Sequence, residues 1–168
     1  GKFIDGYPEG TSTRPFYDQS IADVASYVTV HEGDITTMTW PSDLPVEILF
    51  IDVAKNWMIN DVVLHQFFPR LIPGVSTVIQ QDYHWKQSPW LSITMELLAD
   101  HLTYLGSMPW CTAYYRWERA LEPGELPAKL RDLGEERLLE LANRAQRFER
   151  GGGEWTAQQC NLVALSIC

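Results

Sequence analysis

Positive charge is scarce in this sequence. Across 168 residues, 13 Lys and Arg stand against 22 Asp and Glu, a formal charge of −9. A basic surface is what grips a phosphate backbone or an anionic bilayer, so neither nucleic acid nor membrane is an expected partner. Cysteine is equally sparse, with Cys111, Cys160 and Cys168 only. An odd, scattered trio does not suggest a disulfide scaffold and points to a reducing, cytoplasmic compartment. No apolar run reaches transmembrane length, no signal peptide is visible, and no internal repeat is present. What the chain does have is 45% hydrophobic residues, enough for one domain with a core, and seven Trp and seven Tyr to line it.

Apolar periodicity orders the chain. Residues 1–14 read as a strand end running into a loop. Phe16, Ile21, Val24 and Ala25 have helical spacing, and "YVTVHEGD" predicts a strand near Tyr27–Val30 that stops at Gly33-Asp34. The next strand, within Val46–Ile51, is apolar at nearly every position, as strands buried on both faces are. Met58, Ile59, Val62, Val63, Phe67 and Leu71 form a helical stripe that Pro69 shortens. Thr77–Gln80 is a third strand, and Ser88-Pro89 starts a helix predicted to run from Trp90 to Leu105, with Gly106 at its end. "PWCTAYYRWERAL" alternates as a strand, and Leu126–Phe148 is a charged amphipathic helix broken at Gly134. The "GGG" at 151–153 reads as a hinge before a last helix from Trp155.

This alternation predicts an α/β fold: a Rossmann-like, doubly wound, mainly parallel sheet with flanking helices over 1–123, and a C-terminal helical extension over 124–168. Such sheets bind ligands beyond the carboxyl ends of their strands. Asp34, Asp52 and Asp82 each follow an apolar run, so they are expected on one rim. Each acid also has a plainer role open to it: a turn residue for Asp34 and Asp82, a helix N-terminal charge for Asp52. His84, between Tyr83 and Trp85, is either a base or a packed ring. Trp57, Trp85 and Trp90 either wall a groove or fill the core.

Taken together, "HEGDI", "ILFID", "PRLIPG" and "VIQQDYHW", with "FIDGYPEG" at 3–10, resemble successive landmarks of class I S-adenosylmethionine-dependent methyltransferases, in particular the macrocin-type sugar O-methyltransferases. The likeness covers about residues 1–105. It implies S-adenosylmethionine as cofactor, with Asp34 and Ile35 at the adenine and Asp52 bordering the same site. It implies Mg²⁺ on Asp52 and Asp82, and His84 as the base toward a small-molecule hydroxyl. Three departures stand out. Gln81 replaces the first acid of the family's Asp-Asp-Tyr, Lys2 stands where an acid would grip the ribose, and no glycine-rich strand-to-helix turn occurs. The expected consequences are weak cofactor binding by residues 1–168 alone, weak or absent metal dependence, and a missing part of the sheet supplied by a complementing N-terminal segment; a homo-oligomer is the other partner expected. The alternatives are a non-catalytic Rossmann-like binding or scaffold domain that has lost the cofactor loop, or another α/β enzyme such as a hydroxylase.

Overall fold

The computed structural model describes residues 10–40, 43–85, 87–108 and 111–148. Lys2, most of "FIDGYPEG", the "GGG", the helix expected from Trp155, Cys160 and Cys168 lie outside them. The chain forms two compact units, 1–33 and 34–168. In the first, helix α1 (Arg14–Ser20) is followed by a 3₁₀ helix at Ala22–Tyr27. Arg14 holds Asp18 at 2.7 Å and Glu32 at 2.9 Å. The strand expected near Tyr27–Val30 is absent. β-branched residues favour extended backbone, but they make a strand only when a partner ladder takes up their backbone groups.

The second unit is α/β, with a mixed four-stranded sheet. Its strands are β1 (Ile48–Ile51), β2 (Thr77–Gln80), β3 (Leu102–Met108) and β4 (Thr112–Trp117), in the order β1-β2-β4-β3. β1 and β2 are parallel, while β4 runs antiparallel to both β2 and β3. Three strands therefore share one direction. Between them lie helices α2 (Trp57–Phe67) and α3 (Pro89–Leu97), and α4 (Glu135–Phe148) follows β4.

Punctuation in the sequence sets several of these ends. Asn56 caps α2, its side chain accepting from the Ile59 N–H at 2.9 Å, and Pro69 converts the last turn to 3₁₀ at Phe68–Arg70. Gly134, at φ +78°, separates a 3₁₀ turn at Leu130–Leu133 from α4, as its sequence position suggested. The helix predicted through Leu105 stops at Leu97 instead, and Leu102–Met108 is β3. Gly106 is no helix cap. It follows the extra residue of a β-bulge between Tyr104 and Gly106, at φ +140°.

One face of the sheet carries the core. Leu49, Ile51, Val78, Tyr115 and Trp117 cluster with Val63 and Leu64 of α2 and Leu91 and Met95 of α3. Ile93, on another side of α3, packs with Leu138, Leu141 and Ala142 of α4. Sandwiched in this way, α3 is buried from Pro89 to Met95. β1 departs from the expectation of burial on both faces: its residues alternate between exposed and buried, and among the described strands it stands at the end of the order. Leu49 is 8% exposed, whereas Ile48 is 68% and Phe50 58% exposed.

That contrast is measurable. Leu49→Ala should lower the unfolding free energy by about 2–5 kcal/mol, the range for emptying a packed site. Ile48→Ala, one residue away, should change it by less than about 0.5 kcal/mol. Urea denaturation of the two variants gives the comparison, and equal losses would contradict the one-sided burial of β1.

Candidate functional site at the carboxyl rim of β1 and β2

The parallel register pairs Ile51 with Gln80, and the Gln81 N–H continues the ladder by donating to the Ile51 carbonyl at 2.9 Å. Asp52 and Asp82 follow directly, so both acids leave the sheet at the same end. Two carboxylates this close repel, and the pair needs a counter-charge. Lys55 supplies it. Its Nζ donates to Asp52 Oδ1 at 2.9 Å and also to Asp82 Oδ2. Asp52 is 56% exposed and Asp82 14%, so the cluster runs from solvent into the rim.

The local chain explains why Lys55 stands there. Leaving β1, the backbone makes a tight turn in which the Lys55 N–H donates to the Val53 carbonyl at 2.7 Å. The next anchor is buried: the Trp90 indole N–H donates to the Ala54 carbonyl at 2.7 Å. Asn56 then caps α2. With residues on both sides held, the lysine stem has a fixed origin. Partial desolvation pulls the Lys55 pKa down, but hydrogen bonds to Asp82 and Asp52 outweigh it and the net shift is upward. Asp82 has φ +59°, the one positive value at a non-glycine among the described residues, and aspartate is among the few side chains that tolerate it. The turn it opens closes where the Trp85 N–H donates to the Asp82 carbonyl at 2.8 Å.

His84 lies in that turn, half-buried, its ring edge-on to Tyr83 at 5.0 Å. Tyr83 is buried against Tyr115. Of the three tryptophans weighed as groove walls, Trp90 is core and sits edge-on to Trp57 at 5.8 Å, while Trp85 is exposed. Gln81 is engaged away from the acids. Its Oε1 accepts from Thr112 Oγ1 at 2.6 Å and its Nε2 lies 3.0 Å from Cys111 Sγ.

Asp34 is a different case. No strand leads into it, so the reason for placing it on the rim does not hold. Its Oδ1 accepts from the Thr36 N–H at 2.9 Å and the Thr36 hydroxyl at 2.8 Å, a local turn that lowers the Asp34 pKa. Ile35 packs on the core. A divalent metal fits the rim poorly. The ammonium of Lys55 stands between the two acids, and among the described residues no three His, Cys, Asp or Glu side chains gather.

Compared with protein families, curated proteins and solved structures, the chain matches none. The site therefore rests on its own geometry. Sequence reading missed Lys55, although the Asp-x-x-Lys spacing after an apolar strand was the available signal.

It also missed a second polar cluster, at the start of β3. His101 is buried, stacked on Trp117 at 5.4 Å, and its Nδ1 donates to the Arg119 carbonyl at 3.0 Å. Its Nε2 faces both Glu125 Oε1 at 2.9 Å and Arg119 Nη2 at 2.8 Å. One nitrogen cannot serve both at once: a neutral ring accepts from Arg119 and a protonated ring donates to Glu125. The Glu122 N–H, then Arg119 and His101, hold the Glu125 pKa down to about 2. A depressed carboxyl stabilises the fold above its unfolded pKa and loses that contribution as pH falls through the folded one. Glu125→Gln should therefore be less stable than wild type at about pH 6, and the gap should close between about pH 4.5 and pH 2. Denaturation across this range tests it, and a gap independent of pH would contradict it.

Proposed function

We propose that this rim serves S-adenosylmethionine-dependent O-methyl transfer to a hydroxyl of a small molecule, of sugar or natural-product type, on a Rossmann-like sheet. The observation that carries the reading is the pairing of Asp52 and Asp82 just past the carboxyl ends of two adjacent parallel strands, with His84 in the same turn. That is where open α/β sheets take their ligands. The sequence landmarks around both acids support the same reading.

When bound, S-adenosylmethionine supplies a methyl group already activated by its sulfonium. Asp34 and Ile35 would hold its adenine. Asp52 and Asp82 would orient the acceptor by accepting from hydroxyls beside the reacting one, and His84 would take the reacting hydroxyl's proton as its oxygen bonds to the methyl carbon and the carbon–sulfur bond of the donor breaks. Most of the acceleration would come from holding the two reactants in line.

A second reading has its own support. Lys55 already neutralises part of the acidic pair, and Gln81 is tied to Thr112, as suits a domain that binds a small molecule without turnover. Mass spectrometry of the full-length protein, incubated with S-adenosylmethionine and a panel of sugar and phenolic hydroxyl compounds, separates the two. The proposal expects a methylated product, and a fall of about 100-fold or more in turnover for His84→Ala with S-adenosylhomocysteine binding retained. Binding without product would favour the second reading. Failure to bind S-adenosylhomocysteine would sink the first.

A further inference from the structure

The resemblance implies a divalent cation on Asp52 and Asp82, and the arrangement of the side chains disagrees. We infer that Lys55 is the resident cation of this rim, its ammonium joining Asp52 to Asp82 in the place a metal would take, so that the pair works without metal.

Charge and donor supply both lead there. The trio of two carboxylates and one ammonium carries −1, so the mutual repulsion of the acids is already relieved. A metal ion would have to displace an ammonium bonded to both carboxylates. The Lys55 side chain is 54% exposed, but its backbone origin is fixed. It springs from a segment fixed by the Trp90–Ala54 hydrogen bond on one side and the Asn56 cap on the other. Hard cations need several oxygen ligands at short range. The next candidate, Gln81, has its amide oxygen on Thr112. Two carboxylates, with no third His, Cys, Asp or Glu joining them among the described residues, make a weak metal site even before the lysine is counted. Removing the lysine, in turn, leaves two facing carboxylates without a counter-charge, the minimal form of such a site.

The inference rests on the proposed reading only for the choice of rim, and its readout is metal binding, not turnover. The test is a Mn²⁺ titration, by calorimetry or by the electron paramagnetic resonance of free Mn²⁺, of full-length wild type, Asp82→Asn, Lys55→Met, and Lys55→Met with Asp82→Asn. Wild type and Asp82→Asn should bind Mn²⁺ alike, with no saturable site that depends on Asp82. Lys55→Met should gain one site with a dissociation constant on the order of a millimolar or tighter, and the double variant should lose it. Circular dichroism checks the fold, and Lys55→Gln replaces Lys55→Met if the latter does not fold. A wild-type Mn²⁺ site abolished by Asp82→Asn would overturn the inference. So would a folded lysine variant that gains no site. Should neither lysine variant fold, the comparison of wild type with Asp82→Asn decides alone.

Discussion

The parallel pairing of two four-residue strands governs the relation between Asp52 and Asp82. Because β1 and β2 run the same way in the register Ile51 to Gln80, whatever follows one strand lies beside whatever follows the other. Two acids in those positions would repel across the gap. The fold answers with a third residue, three places after Asp52, whose stem begins in a loop held by the Trp90 indole. Trp90 in turn belongs to α3, the helix with sheet on one side and α4 on another. The charge arrangement at the rim thus depends on a helix buried from Pro89 to Met95, and disturbing α3 would disturb Lys55.

Much of this frame was legible in the sequence. β2 was read at its observed bounds because a β-branched run sits between a Pro-Gly turn and a polar stretch. α2 was legible from its stripe and from Pro69, and the break before α4 from Gly134. β3 was not. Between Leu97 and Leu102 no glycine or proline marks a helix end, and periodicity alone does not distinguish a helix that continues from one that stops. Gly106 then looked like a helix end, when its left-handed backbone marks a bulge. The one-sided burial of β1 was hidden for a related reason. A four-residue apolar strand looks the same whether one face of its sheet is covered or both, and only the packing of the helices tells them apart.

The site was legible to the same partial extent. Asp52 and Asp82 could be placed because strand ends are visible in sequence and parallel strands align their ends. Asp34 could not, because the strand expected before it needed a partner that no local pattern reports. Lys55 was overlooked because its meeting with Asp82 spans 27 residues and depends on where a loop is anchored. Local spacing gives an Asp-x-x-Lys pair. Only the sheet register supplies the second carboxylate.

What lies between the two acids decides how this rim works. A crystal structure grown in millimolar Mn²⁺, read by its anomalous difference density, tests this most directly. The account predicts the Lys55 ammonium between Asp52 and Asp82, within hydrogen-bond reach of both, and no manganese peak at that point. A manganese peak bridging the two carboxylates, with Lys55 swung out to solvent, would contradict it.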